Sequence, residues 1–87
     1  MSSYRFSVSV MPKDGILDPQ GRAVEAALPK LGASSVHGVR VGRRIELAVE
    51  ADDRDSALAV IEKLASDFLS NPLIESWSVE EAEGVPA

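Results

Sequence analysis

Between Val36 and Ala51 the apolar side chains keep one parity. Val39, Val41, Ile45, Leu47 and Val49 hold odd positions, while Arg40, Arg44, Glu46 and Glu50 hold even ones. A period of two is the pattern of a half-buried strand, apolar on one face and charged on the other. The phase survives across Gly42-Arg43, and this constrains the topology. A two-residue turn there would set Val41 opposite Arg44 and Val39 opposite Glu46, mixing apolar and charged groups on one face. A continuous strand keeps the faces apart, as does a three-residue loop Gly42-Arg43-Arg44. Such a loop normally carries its glycine last, so the favoured reading is one long strand bent at Gly42. From Val36 to Ala51 it would span about 50 Å at ~3.3 Å per residue. A compact chain of this length has a radius of gyration of about 12 Å. The strand would overhang its own domain, and a second copy is the simplest cover.

The other elements follow from the same kind of pattern. Tyr4, Phe6, Val8 and Val10 alternate with Arg5, Ser7 and Ser9, giving a first strand that ends near Met11, because Pro12 has no N–H for a ladder. Asp18-Pro19 starts a helix with an apolar face of Ala23, Val24, Ala27, Leu28 and Leu31. Pro29 should shorten its last turn and Gly32 should stop it. Asp52-Asp53 opens a second helix whose face is Ala57, Leu58, Ile61, Leu64, Ala65 and Phe68, closed by Asn71-Pro72. A last strand runs from about Ile74 to Glu80. Trp77 and Val79 share a face there and Ile74 is out of phase, which predicts a bulge or a late start. Residues 80–87 read as an acidic tail that frays. The chain is thus one domain, 1–87, of the α+β class: β-α-β(long)-α-β, an antiparallel sheet with two helices on one face, related to ferredoxin-like architecture.

Composition narrows the chemistry. The 87 residues contain no cysteine and a single histidine, His37. Disulfides, thiolate metal sites and cysteine nucleophiles are excluded, and a Ser-His-Asp triad is hard to assemble. A chain this short buries only about 60–65% of its unfolded surface, so association is the remaining route to stability. The net charge of −5 disfavours nucleic acid as a partner. No apolar run approaches the roughly 18 residues of a membrane span, and the first residues lack a signal-peptide pattern, so a soluble cytoplasmic protein is expected.

No catalytic constellation emerges. Asp52, Asp53 and Asp55 cluster, but capping and dipole complementation account for them. His37 lacks an orienting partner for acid–base work. Gly15 and Gly21 flank a helix start without the spacing of a dinucleotide or P-loop motif, and read as turn residues. Arg40, Arg43 and Arg44 are the one basic cluster. On a strand, Arg40 and Arg44 face solvent and Arg43 the apolar side, where they can pair with Glu46 or Glu50 or meet an acidic partner or phosphate-bearing ligand. Trp77 reads as core or interface filler whose N–H wants an acceptor. The residues alone describe an oligomeric, non-catalytic α+β module.

Three segments together carry a family resemblance: Val10-Met11-Pro12-Lys13-Asp14-Gly15-Ile16-Leu17-Asp18-Pro19-Gln20-Gly21; Val39-Arg40-Val41-Gly42-Arg43 with Ile45-Glu46-Leu47; and Leu69-Ser70-Asn71-Pro72-Leu73-Ile74-Glu75. They resemble PurS, the small subunit of phosphoribosylformylglycinamidine (FGAM) synthase, over nearly the whole chain. Arg44 stands where an aromatic or apolar residue is frequent, and Trp77 where tyrosine is usual. The resemblance implies a part in purine biosynthesis, as a subunit of a glutamine-dependent C–N ligase with no catalytic, cofactor-binding or metal-binding residue of its own. The complex is expected to use ATP and magnesium. The implied partners are the chain itself as dimer or tetramer, a large synthetase subunit and a glutaminase subunit. Interface candidates on this basis are Arg40, Gly42, Arg43, Arg44, Asn71, Pro72, Glu75 and Trp77. Arg43→Glu is expected to weaken assembly and leave the isolated subunit folded. The alternative is a regulatory domain of similar architecture that senses a small molecule between dimer sheets.

Overall fold

The structure is a computed structural model that describes residues 2–81. Strand β1 (Ser2–Pro12) leads to helix α1 (Pro19–Ala27) and a 3-10 turn, Leu28–Leu31. Strand β2 (Arg43–Ala51), helix α2 (Arg54–Leu64), a π turn over Ala65–Leu69 and strand β3 (Glu75–Glu81) complete it. The sheet is antiparallel in the order β2-β1-β3, so the first strand is central.

Register places the apolar parities on one face. Phe6 pairs with Leu47, Val8 with Ile45 and Val79, and Val10 with Trp77. Ala57, Ile61 and Ala65 of α2 and its π turn cover this face, and with Phe6, Val8, Val10, Val49 and Ala51 they form the buried core. Burying side chains the size of Phe6 and Ile61 contributes about 1.5–3 kcal/mol each. The other face is polar: Ser3, Arg5, Ser7 and Ser9 on β1 alternate with the core residues, flanked by Arg44, Glu46 and Ser78.

Capping matches the sequence. Asp18 begins α1, with Pro19 at its first position, and Gly32 closes the 3-10 turn at φ 79°. Pro29 sits within that tighter turn, the form the helix takes where an α-type bond is lost. Asp53 caps α2 through a 2.7 Å bond from Ser56 N–H.

Four expectations are corrected. The strand does not run from residue 36: β2 begins at Arg43, and residues 36–42 are irregular. Gly38 turns the chain at φ 71°. Val39 and Val41 then donate their N–H groups to the carboxylates of Glu25 (2.8 Å) and Asp18 (2.9 Å), where a ladder would need a strand. Second, of two helices expected on one face, only α2 packs against the sheet; α1 makes no extensive contact with any strand. Val24 of α1 and Leu31 of the following 3-10 turn are exposed. The result is a long plate, 52 × 28 × 13 Å, with a radius of gyration of 16.6 Å against the compact value of about 12 Å. Third, Phe68 is 79% exposed. Beyond Ala65 the backbone widens to a π turn, closed by Ser70 N–H to the Ala65 carbonyl, and Leu69 turns to the core in place of Phe68. Fourth, β3 includes Glu80, as the expected strand does, and runs one residue further, to Glu81, which was expected in the tail; residues 82–87 of that expected tail lie outside the described residues. Ile74 precedes β3, so the late start holds.

Candidate functional site

Three segments far apart in sequence meet at one end of the sheet: the connector after β1, the approach to β2 and the turn before β3. Each is held by bonds that its residue types dictate. Lys13 donates its N–H to the Ile74 carbonyl at 2.9 Å, tying connector to turn, and Gly15 takes φ 81° to let the connector double back. Asn71 builds the turn itself. Its side-chain oxygen accepts from Leu73 N–H at 3.2 Å and its carbonyl from Ile74 and Glu75 N–H at 3.0 and 2.7 Å. Pro72 is exposed on that turn.

Asp18 is the joint between helix and strand. One oxygen caps Gly21 N–H at 3.0 Å, and the other receives Val41 N–H. These two bonds, Gly21's foremost, hold its carboxyl below the usual range; the Arg40 charge adds a smaller pull, and partial burial opposes it. Gly21 is needed for that approach, since a methyl group there would overlap Asp18 Oδ2 and lie 2.7 Å from the Val39 carbonyl. At Gly42 a methyl group would overlap the Val10 carbonyl and Met11 Sδ, so the glycine is a close-approach position beside β1.

The basic cluster does not form a patch. Arg43, on the core side of β2, makes a fork with Glu75 at 2.6 and 3.0 Å and donates to the Leu69 carbonyl at 2.6 Å. The bond from Arg43, then that from Asn71 N–H at 2.7 Å, keep Glu75 below its ordinary pKa, and Glu75 raises that of Arg43. Arg44, on the opposite face, donates to Ser7 Oγ at 2.9 Å and lies 3.3 Å from Glu46. Arg40 donates to the Pro12 carbonyl and lies 3.9 Å from Asp14. Trp77 is half-buried against the core. Of the interface candidates, then, Arg40, Gly42, Arg43, Asn71, Pro72 and Glu75 share this end; Trp77 stands level with Arg43 across β1, and Arg44 points to the opposite face.

Two adjoining surface clefts of about 490 and 500 Å³ open here. Pro12, Ile16, Leu17 and Asp18 line both. Sequence reasoning took Ile16 and Leu17 as connector only; two apolar residues between Gly15 and Asp18, where loops favour polar residues, were the available signal. Among the described residues no group of three His, Cys, Asp or Glu side chains is placed to hold a metal ion, and no helix is long and apolar enough to cross a membrane.

The fold and this end together define a small open-faced α+β sandwich with a motif-bearing rim. A family model described as PurS, phosphoribosylformylglycinamidine (FGAM) synthase, matches residues 5–83. The chain belongs to the PurS family. It is 43% identical over 75 residues to the phosphoribosylformylglycinamidine synthase subunit PurS of Mycobacterium leprae, covering 86% of this chain and 91% of that one. Bacillus subtilis PurS in its C2 crystal form superposes with a TM-score of 0.79 at 36% identity, over 92% of this chain and 99% of the other. A chain of the Thermotoga maritima PurLQS structure gives 0.86 at 29% identity, over 94% and 100%.

Proposed function

We propose that this chain is the small, non-catalytic subunit of an FGAM synthase, joining a large synthetase subunit and a glutaminase subunit in purine biosynthesis. The observation that carries the reading is full-length likeness to a chain of the PurLQS structure, at a TM-score of 0.86. The reaction converts formylglycinamide ribonucleotide to the amidine with ammonia from glutamine, driven by ATP with magnesium on the partner subunits, in the cytoplasm. Supporting an assembly role, three carboxylates are committed to hydrogen bonds within the chain. Asp18, Asp53 and Glu75 are each tied down this way.

A subunit of this kind raises the rate by position: it holds ammonia source and acceptor site in register, turning transfer between two proteins into an intramolecular step. Self-association is part of the proposal, since the core is small and α1 leaves apolar residues uncovered. Reconstitution tests the reading. Glutamine-dependent synthase activity from the synthetase and glutaminase subunits should require this chain, while activity with free ammonia should persist without it. Full glutamine-dependent activity in its absence would overturn the assignment.

A further inference from the structure

We infer that the outer edge of β2 joins a second copy of this chain, strand against strand, about a two-fold axis at Leu47. This gives the self-association proposed above its surface and rests on that part of the reading. The sheet order β2-β1-β3 leaves β2 and β3 as edges. Strand β2 is nine residues long, Arg43–Ala51, with no proline, glycine or lysine to interrupt or guard it. Among the described residues no backbone hydrogen bond from outside the sheet reaches it. Such an edge is a template for another strand. Its core face is unfinished as well: Val49 is buried, whereas Ile45 and Leu47 are only partly covered, with no strand beyond them.

The charges of β2 make the strand its own complement. Paired antiparallel about Leu47, all nine residues overlap, and Arg44 of each copy stands opposite Glu50 of the other. On the core face Ile45 meets Val49, and Leu47 meets its own symmetry mate. Odd residues must pair with odd ones to keep the core face continuous, so the neighbouring registers lie a two-residue slip away on either side. One of these sets Glu46 opposite Glu46, and the other sets Glu46 of each copy opposite Glu50. Like charges directly opposite are destabilising, so the register centred on Leu47 is selected. Glu50 makes no ion pair among the described residues, and Arg44 pairs only with Glu46 of its own strand, at 3.3 Å, beside its bond to Ser7. The other edge lacks this symmetry: β3 carries Glu75, Glu80 and Glu81 and no cation, and pairing it about Ser78 would set Glu75 against Glu81. A strand from a different protein would not require β2 to be its own complement, which favours a second copy as occupant.

The test is sedimentation of the full chain at micromolar concentration, with charge reversals at the two positions. The parent chain should form a dimer. Arg44→Glu would set carboxylates opposite each other at both ends of the interface, and Glu50→Arg would set guanidinium groups there. Each should weaken dimerisation by about tenfold or more, and by less at 1 M salt. An equal mixture of the two variants should recover the parental affinity, because in a mixed pair every charge again faces its opposite. The chain carrying both reversals should dimerise like the parent for the same reason. Such recovery cannot come from variants that have lost their fold. Parental dimerisation by both single variants, or weakened dimers that neither mixing nor the double reversal restores, would overturn the inference and leave self-association to another surface. A parent chain that stays monomeric would remove self-association, and the inference with it, while reconstituted synthase activity would still decide the assembly role.

Discussion

Arg43 and Glu75 clasp the two edge strands across the central one. Arg43 stands opposite Val10 on one side of β1, Glu75 opposite Pro12 on the other, and their fork closes at 2.6 and 3.0 Å. The same guanidinium donates to the Leu69 carbonyl, so it also fastens the end of the π turn. A docking residue could be reversed in charge without harm to the isolated chain, but this one cannot. Arg43→Glu would set two carboxylates together and orphan the Leu69 carbonyl. It should lower the melting temperature of the isolated chain by about 5 °C at low salt, and by less at 1 M salt. Arg43→Lys should fall between, since an ammonium cannot reproduce the fork. Thermal melts of the three proteins check this.

Acid should loosen both ends of the sheet, through Asp18 and Glu75 at one and Asp53 at the other. Asp18, Asp53 and Glu75 all have folded pKa values below their ordinary ones, through hydrogen bonds that favour the charged form. A depressed carboxyl pKa contributes stability fully present above the unfolded value, about 4, and lost as pH falls through the folded one. Stability should therefore be level from neutrality to about pH 5 and fall steadily below about pH 4. Asp18→Asn should start lower at pH 7 and lose less over the acid range. Urea unfolding from pH 7 to pH 3 would show both slopes.

Gly21 separates helix propensity from packing. In an exposed helix interior, Gly→Ala stabilises by about 1 kcal/mol. Here the added methyl would overlap Asp18 Oδ2 and press the Val39 carbonyl. The cap and the tether to β2 would have to shift, so Gly21→Ala should destabilise, by about 1–3 kcal/mol. Chemical denaturation gives the sign directly. A gain in stability would mean that the Asp18 joint relaxes freely.

How far such features can be read from sequence depends on what enforces them. The helix starts at Asp18 and Asp53 were legible because capping is local: a side-chain oxygen and an N–H three residues on settle it. The phase of β2 was legible for the same reason, but its start was not. Alternation at Val39 and Val41 says which way side chains point, not whether a strand lies alongside. The carboxylates that take those N–H groups, Glu25 and Asp18, are distant in sequence. Arg43 was placed on the apolar side by parity, yet its partner Glu75 is 32 residues away and register alone brings them together. Arg43 and Arg44 part because neighbours along a strand point to opposite faces, and Arg40 lies in the irregular approach before the strand.

The π turn after α2 gives the sharpest test of where periodicity stops. Ala57, Ile61 and Ala65 are fully buried at helical spacing, which would carry Phe68 into the core. One wider turn delays the register, exposes Phe68 and turns Leu69 inward against the core. The two residues should therefore exchange the costs their sequence pattern implies. Phe68→Ser should change stability by no more than about 0.5 kcal/mol, as at an ordinary surface site. Leu69→Ala, half-buried, should cost about 1–3 kcal/mol, and Ile61→Ala about 2–5 kcal/mol. Equilibrium denaturation of the three variants would rank them. A loss at Phe68 as large as that at Ile61 would mean that Phe68 is buried, within the chain or against another.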